Sequence, residues 1–123
     1  MSYPAGVHAI KRGDDYALDV PVVDTVTGDP LDITGTRFWF TAKRSLFDAD
    51  VDAVIAKDTT TGITIIDGPG GRARIFIDAA DTEALTKRSV LRYDVQWEDT
   101  DGGIHTVDSG DLVVELDVTR RTT

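Results

Sequence analysis

Hydrophobic and polar positions alternate with a period of two along most of this chain, the pattern of strands with one face on a core and one in water. In LRYDVQWED, residues 91–99, Leu91, Tyr93, Val95 and Trp97 point one way, and Arg92, Asp94, Gln96 and Glu98 the other. In DYALDVPVV, Tyr16, Leu18, Val20 and Val22 alternate with Asp15, Ala17, Asp19 and Pro21. In DLVVELDVT, Leu112, Val114, Leu116 and Val118 alternate with Val113, Glu115, Asp117 and Thr119. Further strands are predicted over 7–12, 36–44, 53–58, 63–66 and 72–78. TGDPLD at 27–32, TTTG at 59–62 and DGPGG at 67–71 supply turn chemistry between them. Pro21 has no N–H for a ladder, which places it on an edge or at a bulge. Only two stretches have helical character. LFDAD at 46–50 suits a single turn, and residues 78–89 suit a short helix with Asp78 as N-cap, Leu85 on one face and Lys87–Arg88 late.

Many short strands with one brief helix predict an all-β fold, an immunoglobulin-like antiparallel β-sandwich. The helix falls between the fifth or sixth strand and the strand carrying Tyr93, where such sandwiches place a helical turn and a corner tyrosine. Val95 then takes the position of the usual cysteine, as expected of a sandwich closed by packing alone. The 123 residues fit one domain, 1–123, with residues 1–6 as an N-terminal arm.

Composition sharpens this in three ways. The hydrophobic fraction of 41% and charged fraction of 28% are those of a folded chain, and the absence of cysteine excludes disulfides and thiolate metal sites. A net charge of −9 argues against nucleic acid as a direct partner. The basic residues come mostly as four pairs, Lys11–Arg12, Lys43–Arg44, Lys87–Arg88 and Arg120–Arg121. No apolar run approaches the roughly 18 residues of a membrane span, and no basic-then-apolar signal pattern opens the chain. The expectation is a protein made in a cytoplasm, starting at Met1, with no membrane partner. Asp far outnumbers Glu, and Asp is the acid of turns and caps.

The stretch EDTDGGIHTVDSG, 98–110, carries the most suggestive chemistry. A calcium loop starting at Asp99 would need an oxygen ligand, a glycine and a glutamate where Gly103, Ile104 and Gly110 stand. The reading that remains is a hairpin, with Gly102 and Gly103 supplying positive φ. Asp108-Ser109-Gly110 matches an aspartic protease over three residues only, with charged Asp111 following, and is read as a bend at which Gly110 divides one long strand. DGPGGR at 67–72 lacks the lysine and helix of a phosphate loop. His8 and His105 have no third ligand. Period two puts His105 and Ser109 on one face and Asp108 on the other, so no nucleophile, base and acid converge. No catalytic residue, cofactor or metal is expected.

One aromatic remains as a surface candidate. In RFWF, alternation sends Phe38 and Phe40 inward and leaves Trp39 on the polar face with Arg37, Thr41 and Lys43, either as a contact residue or covered by the 45–52 loop. Tyr3, Pro4, Val7 and Trp39 are the expected interface residues, with the Met1–Ile10 arm docking on a neighbour. A sugar platform would use Trp39 together with Tyr3.

The ordered series KRGDDYALDVPVVD (11–24), GDPLDITGTRFWFTAKR (28–44), GGRARIFIDAADTEAL (70–85) and LRYDVQWEDTDGGIHTVDSGDLVVELDVTR (91–120) resembles the short tail and baseplate proteins of tailed bacteriophages. It is similar to the N-terminal domain of baseplate upper proteins. The resemblance spans nearly the whole chain and lies in the order of the motifs. It implies an immunoglobulin-like building block of the virion, without catalysis, that contacts other virion proteins in multiple symmetric copies. Baseplate upper proteins continue into a fibre-like region and this sequence ends at Thr123. The implied places are therefore tail, baseplate, neck or capsid surface, where a decoration or carbohydrate-binding adhesion role is the alternative.

Overall fold

The computed structural model describes residues 7–45, 47, 49 and 53–116. Eight strands and one helical turn follow in order: β1 Val7–Lys11, β2 Tyr16–Pro21, β3 Arg37–Lys43, β4 Ile55–Asp58, β5 Ile63–Asp67, β6 Arg72–Ile77, α1 Ala79–Thr82, β7 Ser89–Glu98 and β8 Ile104–Glu115. They form a five-stranded sheet in the order β1-β8-β7-β3-β4 and a three-stranded sheet in the order β2-β6-β5.

The alternation read from the sequence is what closes the two layers. Phe38, Phe40 and Ala42 of β3 and Leu91, Tyr93, Val95 and Trp97 of β7 face Leu18 and Val20 of β2 and Ala73, Ile75 and Ile77 of β6 in one buried cluster. Phe40 pairs with Val95 across the β3–β7 ladder, and both are almost fully buried. Truncating a core aromatic of this kind costs about 3–5 kcal/mol. The strand order makes the sandwich immunoglobulin-like: β8, β7, β3 and β4 stand as G, F, C and C′, and β2, β6 and β5 as B, E and D. Pro21 ends the edge strand β2, opposite Arg72, where no ladder partner is denied an N–H.

Four expectations need correction. The ladders are antiparallel except one, since β1 joins β8 in parallel with Val7 opposite Asp111 and Lys11 opposite Glu115. The helix is a single turn, far shorter than 78–89. The Asp81 carboxylate accepts the N–H of Asp78 at 2.7 Å, and the buried Arg12 guanidinium donates to the carbonyls of Glu83 and Leu85, which draws the chain away before a second turn forms. Leu85 is buried. Gly110 does not divide the last strand: it lies opposite Tyr93 in a continuous β8 of 12 residues. The irregularity lies earlier, where Val95 pairs with Asp108 and Gln96 with Thr106, leaving Val107 as the extra residue of a β-bulge. Val113, assigned to the outer side of its strand, is buried as well, between Ala9 and Val90. The turn expected at 46–50 falls partly outside the described residues, and the strand expected from residue 53 begins at Ile55 as β4.

Candidate functional site

Two surfaces collect the residues that could do something: the outer face of the five-stranded sheet, and the end of the sandwich where the 22–36, 68–71 and 99–103 loops meet.

The bulge decides what stands where on β8. His105 lies opposite Trp97 and Asp108 opposite Val95, so both take the inward side, whereas Ser109 lies opposite Asp94 on the outer side. The face-sharing read from simple alternation is thus inverted, because an extra residue moves every later side chain to the other face. His105 Nε2 is 2.8 Å from Asp99 Oδ2, and Asp108 accepts hydrogen bonds from the Tyr93 hydroxyl at 3.2 Å and the Ser109 N–H at 2.9 Å. Burial, followed by the neighbouring Asp108 charge, pushes the Tyr93 hydroxyl well above its ordinary pKa. No nucleophile, base and acid converge in this stretch.

The 98–103 segment is a hairpin turn built around one carboxylate. Asp99 Oδ1 accepts the N–H groups of Asp101 and Gly103 at 2.9 and 2.8 Å, while the backbone closes through Asp99 N–H to Gly103 C=O. Gly102 alone supplies positive φ; Gly103, expected to share that role, does not. The hydrogen bond with His105, then that from Gly103, holds the Asp99 carboxyl below its usual range. The other acidic motifs are spent similarly. Asp24 accepts from Val26 and Thr27, Asp32 and Asp58 from Thr34 and Thr60, and Asp67 from Gly70. Among the described residues, no group of three or more His, Cys, Asp or Glu is placed to hold a metal ion. No described helix is long and apolar enough to cross a membrane.

On the outer sheet face, Trp39 is half-buried between Gln96 of β7 and Asp58 of β4, with the Arg37 guanidinium 5.5 Å from its ring centre. Beside it lies a shallow polar concavity of about 320 Å³, lined by Thr41, Lys43, Arg92, Asp94, Thr106 and Ser109. Val7 is half-buried in the edge strand β1, whereas Tyr3, Pro4 and the arm 1–6 lie outside the described residues.

The loop end holds a larger and more apolar cavity of about 530 Å³, walled by Pro21, Val22, Val26, Leu31, Trp97 and Val107, with Asp24 and Asp99 at its margin. Trp97 is fixed from behind, its indole Nε1–H donating to Thr36 Oγ1 at 2.9 Å. Val26 and Ile104 stand exposed nearby, Val26 at 92%. Alternation had assigned Trp97 only to the core, since the cavity requires the 22–36 loop to fold over the sheet end. Arg12 was likewise hidden among the basic pairs, although it is buried and caps the helical turn.

Together, sheet order and loop placement define an immunoglobulin-like domain. Comparison with solved structures finds similarity to the N-terminal domain of phage TP901-1 ORF48, at 12% identity and a TM-score of 0.46, covering 94% of this chain and 91% of that one. Murine CRIg is similar at 13% identity and a TM-score of 0.45, covering 91% and 92%. No family model matches the sequence, and no curated protein matches it significantly.

Proposed function

We propose that this chain is a non-enzymatic structural component of a tailed bacteriophage particle, in its tail, baseplate or neck, and that it acts through protein–protein contacts. The ordered series of turn and strand motifs supports the phage assignment. The observation that supports a contact role is how the side chains are spent. The conspicuous acidic motifs are consumed as turn scaffolding, while large apolar side chains stand in solvent: Phe47 at 98%, Val26 at 92% and Ile104 at 52% exposure. Surface of that kind gains most from burial against a neighbour, at roughly 25 cal/mol per Å² of apolar area removed from water.

Mass spectrometry of purified particles should find the chain at fixed stoichiometry, and its absence from mature particles would remove the reading. A second reading, a carbohydrate-binding adhesion module, is favoured by Trp39 standing beside a polar concavity. It requires glycan binding that is lost in Trp39→Ala.

A further inference from the structure

We propose that the cavity at the loop end receives the Leu116–Arg121 segment of a second copy of this chain, giving a head-to-tail contact. Three observations meet here. The cavity has an apolar wall of Pro21, Val22, Val26, Leu31, Trp97 and Val107, and two carboxylates, Asp24 and Asp99, at its margin. Its surroundings are acidic: Asp29, Asp32 and Asp101 stand on these loops and Asp67 ends β5, with Arg37 and Arg72 on the adjoining strand ends. An occupant that fits offers an apolar side chain followed closely by positive charge.

The chain itself carries such a segment. In LDVTRR, 116–121, the apolar Leu116 and Val118 are followed by Arg120–Arg121. The strand directions put the three described basic pairs toward the end opposite the cavity, the end at which β8 also finishes. Lys11–Arg12 close β1, Lys43–Arg44 close β3, Lys87–Arg88 precede β7, and Arg120–Arg121 follow β8, with Asp14, Asp15, Asp81 and Glu83 interspersed.

Reach makes the contact intermolecular. β8 leaves the cavity at Val107 and ends at Glu115, a distance of about 27 Å at ~3.4 Å per residue. A six-residue segment spans at most about 20 Å. A chain therefore cannot fill its own cavity, whereas a neighbour stacked end to end can. Such a contact joins two different surfaces, so repetition yields a ring or an open filament.

This deepens the building-block reading, and its test runs on the isolated chain, so its failure is separate from absence in particles. Sedimentation velocity of the full chain should show concentration-dependent association. Arg120→Glu with Arg121→Glu should weaken it about tenfold, and mixing that variant with Asp101→Lys should recover most of the loss. A synthetic LDVTRR peptide added to the chain should shift NMR signals of Val26, Leu31 and the Trp97 indole. A chain that stays monomeric at every concentration, or peptide shifts that miss those residues, overturns the proposal. Peptide shifts at the cavity with a strictly monomeric chain overturn the second copy as occupant and assign the cavity to another protein.

Discussion

Two hairpin turns of nearly the same chemistry sit at the same end of this sandwich and do opposite work. The β5–β6 turn reads Asp67-Gly-Pro-Gly-Gly71 and the β7–β8 turn Asp99-Thr-Asp-Gly-Gly103. In both, the leading aspartate accepts backbone N–H groups, and one glycine has positive φ, Gly71 at 69° and Gly102 at 86°. Around Gly71 the space is full: a Cβ there would lie 2.5 Å from the Val22 carbonyl oxygen and 2.7 Å from that of Leu31. Around Gly102 nothing lies within 4 Å. The first turn is a clamp that holds the 22–36 loop through Ile33 N–H to Gly68 C=O and Val22 N–H to Gly71 C=O. The second is free at its tip and borders the cavity. Turn chemistry therefore specifies a bend, and packing decides whether the bend is scaffold or available surface.

Substitutions can break that contrast, beginning with the clamp. Gly71→Ala should destabilise the domain by about 2–5 kcal/mol, summing the left-handed backbone cost and overpacking against two carbonyls. Urea unfolding measures it, and a loss below that of Gly102→Ala would invalidate the distinction. Next comes the link between the 22–36 loop and β7. Thr36→Val leaves the buried Trp97 Nε1–H without its acceptor and should cost about 1–3 kcal/mol, read by the same unfolding midpoint and by a changed Trp fluorescence maximum. Gly102→Ala carries only the backbone term, about 1–2 kcal/mol, and should leave peptide-induced shifts at the cavity intact.

The smallest effect is electrostatic and sharpens the comparison by pH. The Asp24 and Asp99 carboxyls are held below their usual values, Asp24 chiefly by the Thr27 N–H and Asp99 chiefly by the His105 hydrogen bond. A carboxyl lowered in the folded state stabilises above its unfolded pKa, about 3.9, and that stability is lost as pH falls through the folded value. Acid titration of the unfolding midpoint should therefore decline below about pH 4, slightly less steeply in Asp99→Asn. An unchanged acid limb would show that this turn contributes nothing to the pH dependence. Tyr93 acts at the other extreme: its raised hydroxyl pKa stabilises below about pH 10, and the contribution is lost as pH rises above it.

The sandwich itself was readable because its determinants are local. Period two in residues 91–97 buries Leu91, Tyr93, Val95 and Trp97, and the turn motifs at 67–71 and 99–103 bend where their Asp and Gly residues require. The faces of Asp108 and Ser109 were not readable, since the bulge moves both to the opposite side. A bulge leaves no composition signal: Val107 looks like any strand residue, and only the pairing of Val95 with Asp108 and Gln96 with Thr106 reveals it as extra. The cavity was equally hidden, because its walls come from β2, the 22–31 loop, β7 and β8, segments up to 86 positions apart when Pro21 and Val107 are compared.

Alternation and turn residues, read from the sequence alone, determined that the chain makes strands, where it bends, and which side chains leave water. These are short-range choices governed by backbone sterics and solvation. Tertiary structure alone decided that β1 would pair in parallel with β8, that Arg12 would be buried as a cap, and that Trp97 would wall a cavity. Each depends on contacts between distant segments, whose energies no local pattern encodes.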